Sequence, residues 1–209
     1  WGHEPQTDVA LLEKGFHLVY CDVADLWGNA EAIRRWDRFY AYLTGEHGFS
    51  RRPVLEGMSR GGLIIYHWAI EHPRQVSCIY ADAPALGLRP YVRDLDENHP
   101  ELDQIRAWMK AHELTLAGAQ RFKGDALDRM APLVRAGVPL IHVCGDADQS
   151  VPFEEHTEEF ARRYRQRGGV IEVIVKKGGG HHPHSLANPA PIVRFILEAQ
   201  TRVEPEVSH

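Results

Sequence analysis

Ser59 stands in Gly57-Met58-Ser59-Arg60-Gly61, between the apolar run Val54-Leu55 and the helix-like run Leu63-Ile64-Ile65-Tyr66. A serine with glycine two residues to either side, set between a strand and a helix, marks a strained turn that lifts a hydroxyl above a sheet edge. Gly57 and Gly61 are expected to let the turn close without Cβ clashes. With six serines and 18 glycines in 209 residues, chance supplies about 0.04 such motifs, so accident explains it poorly. A serine hydroxyl is a weak nucleophile near neutral pH. It needs a base to take its proton and an acid to orient that base.

Three aspartates compete for the acid. Asp148, in Gly145-Asp146-Ala147-Asp148-Gln149-Ser150-Val151-Pro152, sits on the far side of its loop, where it can reach a neighbouring loop, and is favoured. Asp146 directly follows the turn glycine, where the ordinary role is to cap the turn. Asp82 ends the preceding apolar run and is the main competitor. For the base, Gly178-Gly179-Gly180-His181 is a loop able to swing an imidazole toward Ser59, and histidine titrates near neutrality. His182 and His184 are alternatives whose ordinary role is to bond backbone or solvent. The His181-His182-Pro183-His184 run is compatible with zinc, but no second ligand cluster at zinc-like spacing accompanies it. No metal or cofactor is expected.

An oxyanion needs two or more donors. The Arg60 N–H, just after the serine and at a helix N-terminus, supplies one. The second is expected in or before Trp1-Gly2-His3, so Trp1 and Gly2 join the oxyanion or substrate-binding candidates. The Arg60 side chain points a cation at an oxyanion or substrate carboxylate, or else forms a salt bridge on its helix. Glu56, out of character in an apolar strand, partners Arg60 or His182, or faces a polar pocket. Trp27, Trp108 and Tyr91 either line a cleft or serve ordinary packing, the commoner role of buried aromatics.

The elements that must hold these residues follow from periodicity and punctuation. A short helix is predicted from Thr7 to Leu12 and a buried strand over Phe16–Val23. A helix capped by Asn29 runs to about Thr44. The Ser59 strand and its helix follow, then strands at 76–81, 139–144 and 170–175, a helix over 153–167 and a last helix to Thr201. Residues 84–136 break the rhythm with two helical patterns, 102–113 and 126–135, and are expected to form a lid or cap inserted in a single domain. Near-continuous apolar strands alternating with helices predict an α/β fold, a mostly parallel doubly wound sheet with helices on both faces. In such sheets ligands bind beyond the carboxyl ends of the strands, where Ser59, Asp82, Asp146, Asp148 and His181 fall.

Bulk properties narrow the field. A net charge of -5 and a pI near 6.2 give no electrostatic footprint for nucleic acid or an anionic membrane. No apolar run reaches the roughly 20 residues of a membrane span. Cys21, Cys78 and Cys144 each fall in a predicted strand, which favours buried free thiols over a disulfide framework. Trp1 is not an initiator residue, so an upstream segment carrying the first strands is expected. The compartment stays open, with a lean towards secretion or the periplasm, and so does the oligomeric state.

GMSRGG, VCGDADQSVP and GGGHHPHS together resemble the α/β-hydrolase (serine hydrolase) superfamily, across nearly the whole chain except residues 84–136. The resemblance implies a Ser59–His181–Asp148 triad that cleaves a carboxylic ester through an acyl-enzyme. The Ser59-Arg60 pair also resembles glucuronoyl and acetyl esterases of plant or algal polysaccharides, which implies a small-molecule or saccharide ester substrate. Prolyl-oligopeptidase-type peptidases share the same triad and form the alternative. A catalytically inactive hydrolase-fold binding module is the non-enzyme one.

Overall fold

A computed structural model describes residues 5–100 and 102–201. Among these residues four parallel strands make the sheet: β1 (Val54–Met58), β2 (Cys78–Asp82), β3 (Leu140–Gly145) and β4 (Ile171–Lys176), side by side in chain order. Their register sets Met58 opposite Asp82, Asp82 opposite Val143, and Gly145 opposite Lys176. β1 and β2 therefore end level, β3 and β4 run two residues further, and the loops that leave all four share one edge. β2 and β3 are buried at every residue, as expected of central strands covered on both faces.

One face packs Leu55, Ile79, Ala81, Leu140 and Ile171 against helix α3 (Gly61–Glu71), which follows the serine turn. The other packs Cys78, Tyr80, Ile141 and Val143 against α1 (Gln6–Leu12) and α10 (Ala190–Thr201). The first face also takes α2 (Ala30–Glu46), through Ile33, Trp36 and Tyr40. Asn29 caps α2, its Oδ1 accepting from Glu31 N and Ala32 N at 3.0 Å each.

The described residues between β2 and β3 fold as five short helices: α4 (Arg89–Val92), α5 (Leu102–Ala111), α6 (Leu116–Gln120), α7 (Ala126–Arg129) and α8 (Ala131–Arg135). Trp108, Leu116 and Val92 pack there with Leu63 of α3 into a core of their own. Trp108 is fully buried, so packing is its role. The single helical pattern predicted over 126–135 is two helices, because Pro132 lacks an N–H and starts a new first turn. Likewise the helix predicted over 153–167 begins with a π turn, Glu154–Glu158, before α9 (Glu159–Gln166).

The strand predicted over Phe16–Val23 is absent. This segment makes no strand pairing, and Leu18, Val19 and Tyr20 are 47%, 49% and 78% exposed. A strand is defined by a partner, and none of the described residues pairs with it. Cys21 is consequently half-buried outside the sheet, whereas Cys78 and Cys144 are buried within it; all three are free thiols.

Candidate active site

The turn after β1 holds Ser59 in left-handed backbone, φ 52°, a conformation that costs a non-glycine residue energy and persists only where its surroundings enforce it. Here they do. Ser59 N donates to the Asp82 carbonyl at 2.9 Å, and the Ser59 carbonyl accepts from Gly62 N and Ala85 N at 2.9 Å each. The close approach is made possible by Gly62: a Cβ there would sit 2.6 Å from Pro84 Cβ and 2.8 Å from the Ala85 carbonyl oxygen. Gly57 is also required, since its Cβ would lie 2.9 Å from the Gly61 carbonyl oxygen, but Gly61 faces open space. The steric role expected of Gly61 thus belongs to its neighbour.

Asp148, after β3, is buried. Its Oδ1 accepts from Ser150 N at 2.8 Å and Val151 N at 2.9 Å. Its Oδ2 lies 2.7 Å from His181 Nδ1, and His181 Nε2 lies 2.9 Å from Ser59 Oγ. With Nδ1–H donating to the carboxylate, Nε2 is the acceptor for the serine proton. The Asp148 and His181 loops are held together by another glycine. A Cβ on Gly145 would overlap the Gly179 carbonyl, which accepts from Ala147 N at 2.9 Å. Nothing local in the sequence marks the contact of Gly145 with residue 179.

Asp146 reaches beyond its own turn into the histidine loop: Gly178 N donates to its Oδ1 at 2.6 Å, the main cause holding its carboxyl below the usual range. Asp82 does not reach His181. Fully buried, it accepts from His184 Nδ1 at 2.8 Å, Ser185 N at 2.7 Å and the Tyr80 hydroxyl at 3.1 Å. The backbone-or-solvent role expected of His184 is therefore wrong. It is half of a buried carboxylate–imidazole pair formed by residues 102 positions apart, a partnership no local spacing reveals. His182 is exposed beside it.

Among the described residues Arg60 forms no salt bridge on its helix. Its guanidinium stacks over Trp27, Cζ 4.6 Å from the ring centroid, a cation–π contact beside the serine. The Trp27 loop is fixed from behind. His67 Nδ1 donates to the Gly28 carbonyl at 2.7 Å, and His112 Nε2 donates to the Trp27 carbonyl at 3.0 Å; burial lowers the His112 pKa and favours its neutral form. Tyr91 is half-buried, its hydroxyl donating to the Ser150 carbonyl at 2.9 Å in the Asp148 loop. Glu56 partners neither Arg60 nor His182. Burial, then the nearby Asp8 of α1 and the Asp82 charge, push its carboxyl up to about 8. The Arg60 N–H lies at the start of α3. Trp1, Gly2 and His3, expected to hold the second oxyanion donor, lie outside the described residues.

Residues 39–199 match the prolyl oligopeptidase family. The chain belongs to that family. Among solved structures, a puromycin-hydrolyzing peptidase of Mycobacterium tuberculosis is 16% identical with a TM-score of 0.60, covering 82% of this chain and 25% of that one. A puromycin hydrolase is 19% identical with a TM-score of 0.58, covering 81% and 24%. Esterase PE8 is 16% identical with a TM-score of 0.53, covering 87% and 67%. At such identities the likeness is one of fold, the α/β-hydrolase fold. This chain spans about a quarter of the length of the puromycin-hydrolyzing peptidase and of the puromycin hydrolase. No curated protein matches the chain significantly. Nothing in these comparisons supports the resemblance to carbohydrate esterases.

Proposed function

We propose that the prolyl oligopeptidase family member described here is a serine hydrolase that cleaves an acyl bond through a covalent Ser59 ester, with short peptide amides as its preferred substrates. The single observation that carries the proposal is the unbroken chain from Ser59 Oγ to His181 Nε2, 2.9 Å, and from His181 Nδ1 to Asp148, 2.7 Å. In this mechanism Ser59 Oγ attacks the substrate carbonyl carbon while its proton passes to His181 Nε2. Asp148 holds the ring in the tautomer that presents Nε2 and stabilises the imidazolium that forms. The Arg60 N–H, at the positive end of α3, faces the developing oxyanion. His181 then gives its proton to the leaving amine. A water, deprotonated by the same ring, hydrolyses the ester and restores Ser59.

Family membership favours the amide. The esterase neighbour, most of whose length this chain covers, keeps a carboxylic ester as the second substrate class. Parallel assays with aminoacyl p-nitroanilides and p-nitrophenyl acetate separate the two, with Ser59→Ala as the blank. The proposal expects nitroanilide turnover that vanishes in the blank. Turnover of the acetate alone would make the protein an esterase, and turnover of neither would remove the hydrolase proposal.

A further inference from the structure

The imidazoles of His181, His182 and His184 form a cluster that the hydrolytic mechanism uses only in part. One ring nitrogen from each lies within 4.8 Å of the other two, and ring centroids are 5.1, 5.0 and 4.6 Å apart. Four-coordinate zinc bound at about 2.0–2.1 Å sets its nitrogen ligands roughly 3.3 Å apart. Closing the cluster requires the three nitrogens to draw together, and His182 is the most exposed of the three rings.

The second observation concerns what stands behind the rings. Metal-bound histidines almost always donate their other nitrogen to a carboxylate, carbonyl or water, which fixes the tautomer and raises ligand basicity. His181 and His184 both do so. His181 Nδ1 lies 2.7 Å from Asp148 Oδ2, and His184 Nδ1 lies 2.8 Å from Asp82 Oδ1. Both carboxylates are fully shielded from solvent. With Nδ1 engaged, zinc would bind each of these rings through Nε2. The two carboxylates also lower the cost of placing a dication nearby, against which Lys176 Nζ, 3.9 Å from Asp82 Oδ1, already supplies one positive charge. The sequence argued against zinc for want of a second ligand cluster. The fold supplies the supporting carboxylates from β2 and the β3 loop.

We propose that His181, His182 and His184 form a zinc-binding inhibitory site laid across the base that serves Ser59. Zinc ligated to His181 Nε2 occupies the lone pair that otherwise accepts the serine proton, so occupancy silences the nucleophile and chelation restores it. The inhibitory half rests on the hydrolase reading above; the metal site itself does not.

The test uses tag-free protein near neutral pH in a non-chelating buffer. Zinc chloride is titrated by calorimetry, and the rate of fluorophosphonate labelling is followed at each zinc concentration. The expected result is one zinc per chain, a labelling rate at least tenfold lower at saturation, and full recovery with a chelator. His182→Ala, at an exposed position, should weaken zinc by about tenfold or more, and Asp82→Asn by about 10–100-fold through loss of orientation of His184. Should Asp82→Asn misfold, His182→Gln stands in for it. Unchanged zinc affinity in His182→Ala, no saturable binding below millimolar zinc, or undiminished labelling at full occupancy would overturn the proposal. If Ser59 is unlabelled even without zinc, the hydrolase reading and the inhibitory role fall together, while calorimetry still decides the metal site.

Discussion

Two carboxylate–imidazole pairs lie side by side at the carboxyl edge of the sheet, alike in chemistry and nearly alike in length. Asp148–His181 measures 2.7 Å and Asp82–His184 measures 2.8 Å. They differ in what lies on the far side of the ring. His181 continues to Ser59 Oγ at 2.9 Å. His184 is buried, and its aspartate is also tied to Ser185 N and the Tyr80 hydroxyl, so that pair anchors the histidine loop to β2. Residue type does not separate a base from a brace; orientation toward the strained serine does.

Four substitutions or sets of substitutions would break or sharpen that contrast. The largest effect is expected at the first pair. Ser59→Ala or His181→Ala should remove turnover to background, and Asp148→Asn should lower kcat by about 10⁴-fold with the fold intact, as read from steady-state kinetics with circular dichroism as the control. At the second pair the loss should appear in stability instead. Asp82→Asn leaves buried groups unpaired and should cost about 3 kcal/mol or more, seen as a lower urea midpoint, with turnover per folded molecule reduced at most about tenfold.

A smaller effect probes how the two loops are held. Gly145→Ala forces the Gly179 carbonyl away and should shift His181 relative to Ser59, lowering kcat by about 10²-fold, with a lower urea midpoint because the overlap is with backbone. The smallest concerns Glu56, whose raised pKa reflects burial first, then Asp8, and Asp82 further down. Native Glu56 stays protonated up to about 8, whereas the unfolded chain ionises near 4.5. Between those values the native state binds more protons, so stability falls as pH rises. Glu56→Gln should remove that loss, raising Tm by a few degrees near pH 8 and leaving the difference small near pH 4.5. The acid side has a different origin. Burial holds His156 down to about 4 and His142 to about 3, from 6.5, so protonation of the unfolded chain lowers stability below pH 6.5. Thermal melts across pH check both arms.

Much of this arrangement was legible in the sequence, for reasons that also mark where legibility stops. Ser59, Asp148 and His181 each lie in a short motif after an apolar run, and a parallel sheet brings such loops to one edge. Their assembly needs only the strand order. The pairing of His184 with Asp82 was not legible, although both residues drew notice, because a partnership across 102 positions has no local signature. Gly145 and Gly62 escaped for the same reason: what they avoid is backbone from another loop. Phe16–Val23 shows the converse failure. Its composition is that of a strand, but pairing is a property of two segments, and apolar pattern reports only one.

The most direct test of the central claim compares fluorophosphonate labelling of wild type, Asp148→Asn and Asp82→Asn, with the adduct mapped by mass spectrometry. Labelling at Ser59 alone is expected, at a rate lowered by orders of magnitude in Asp148→Asn and close to wild type in folded Asp82→Asn. An adduct on another residue, or a rate that collapses in Asp82→Asn while Asp148→Asn keeps it, would contradict the assignment of the working base to His181.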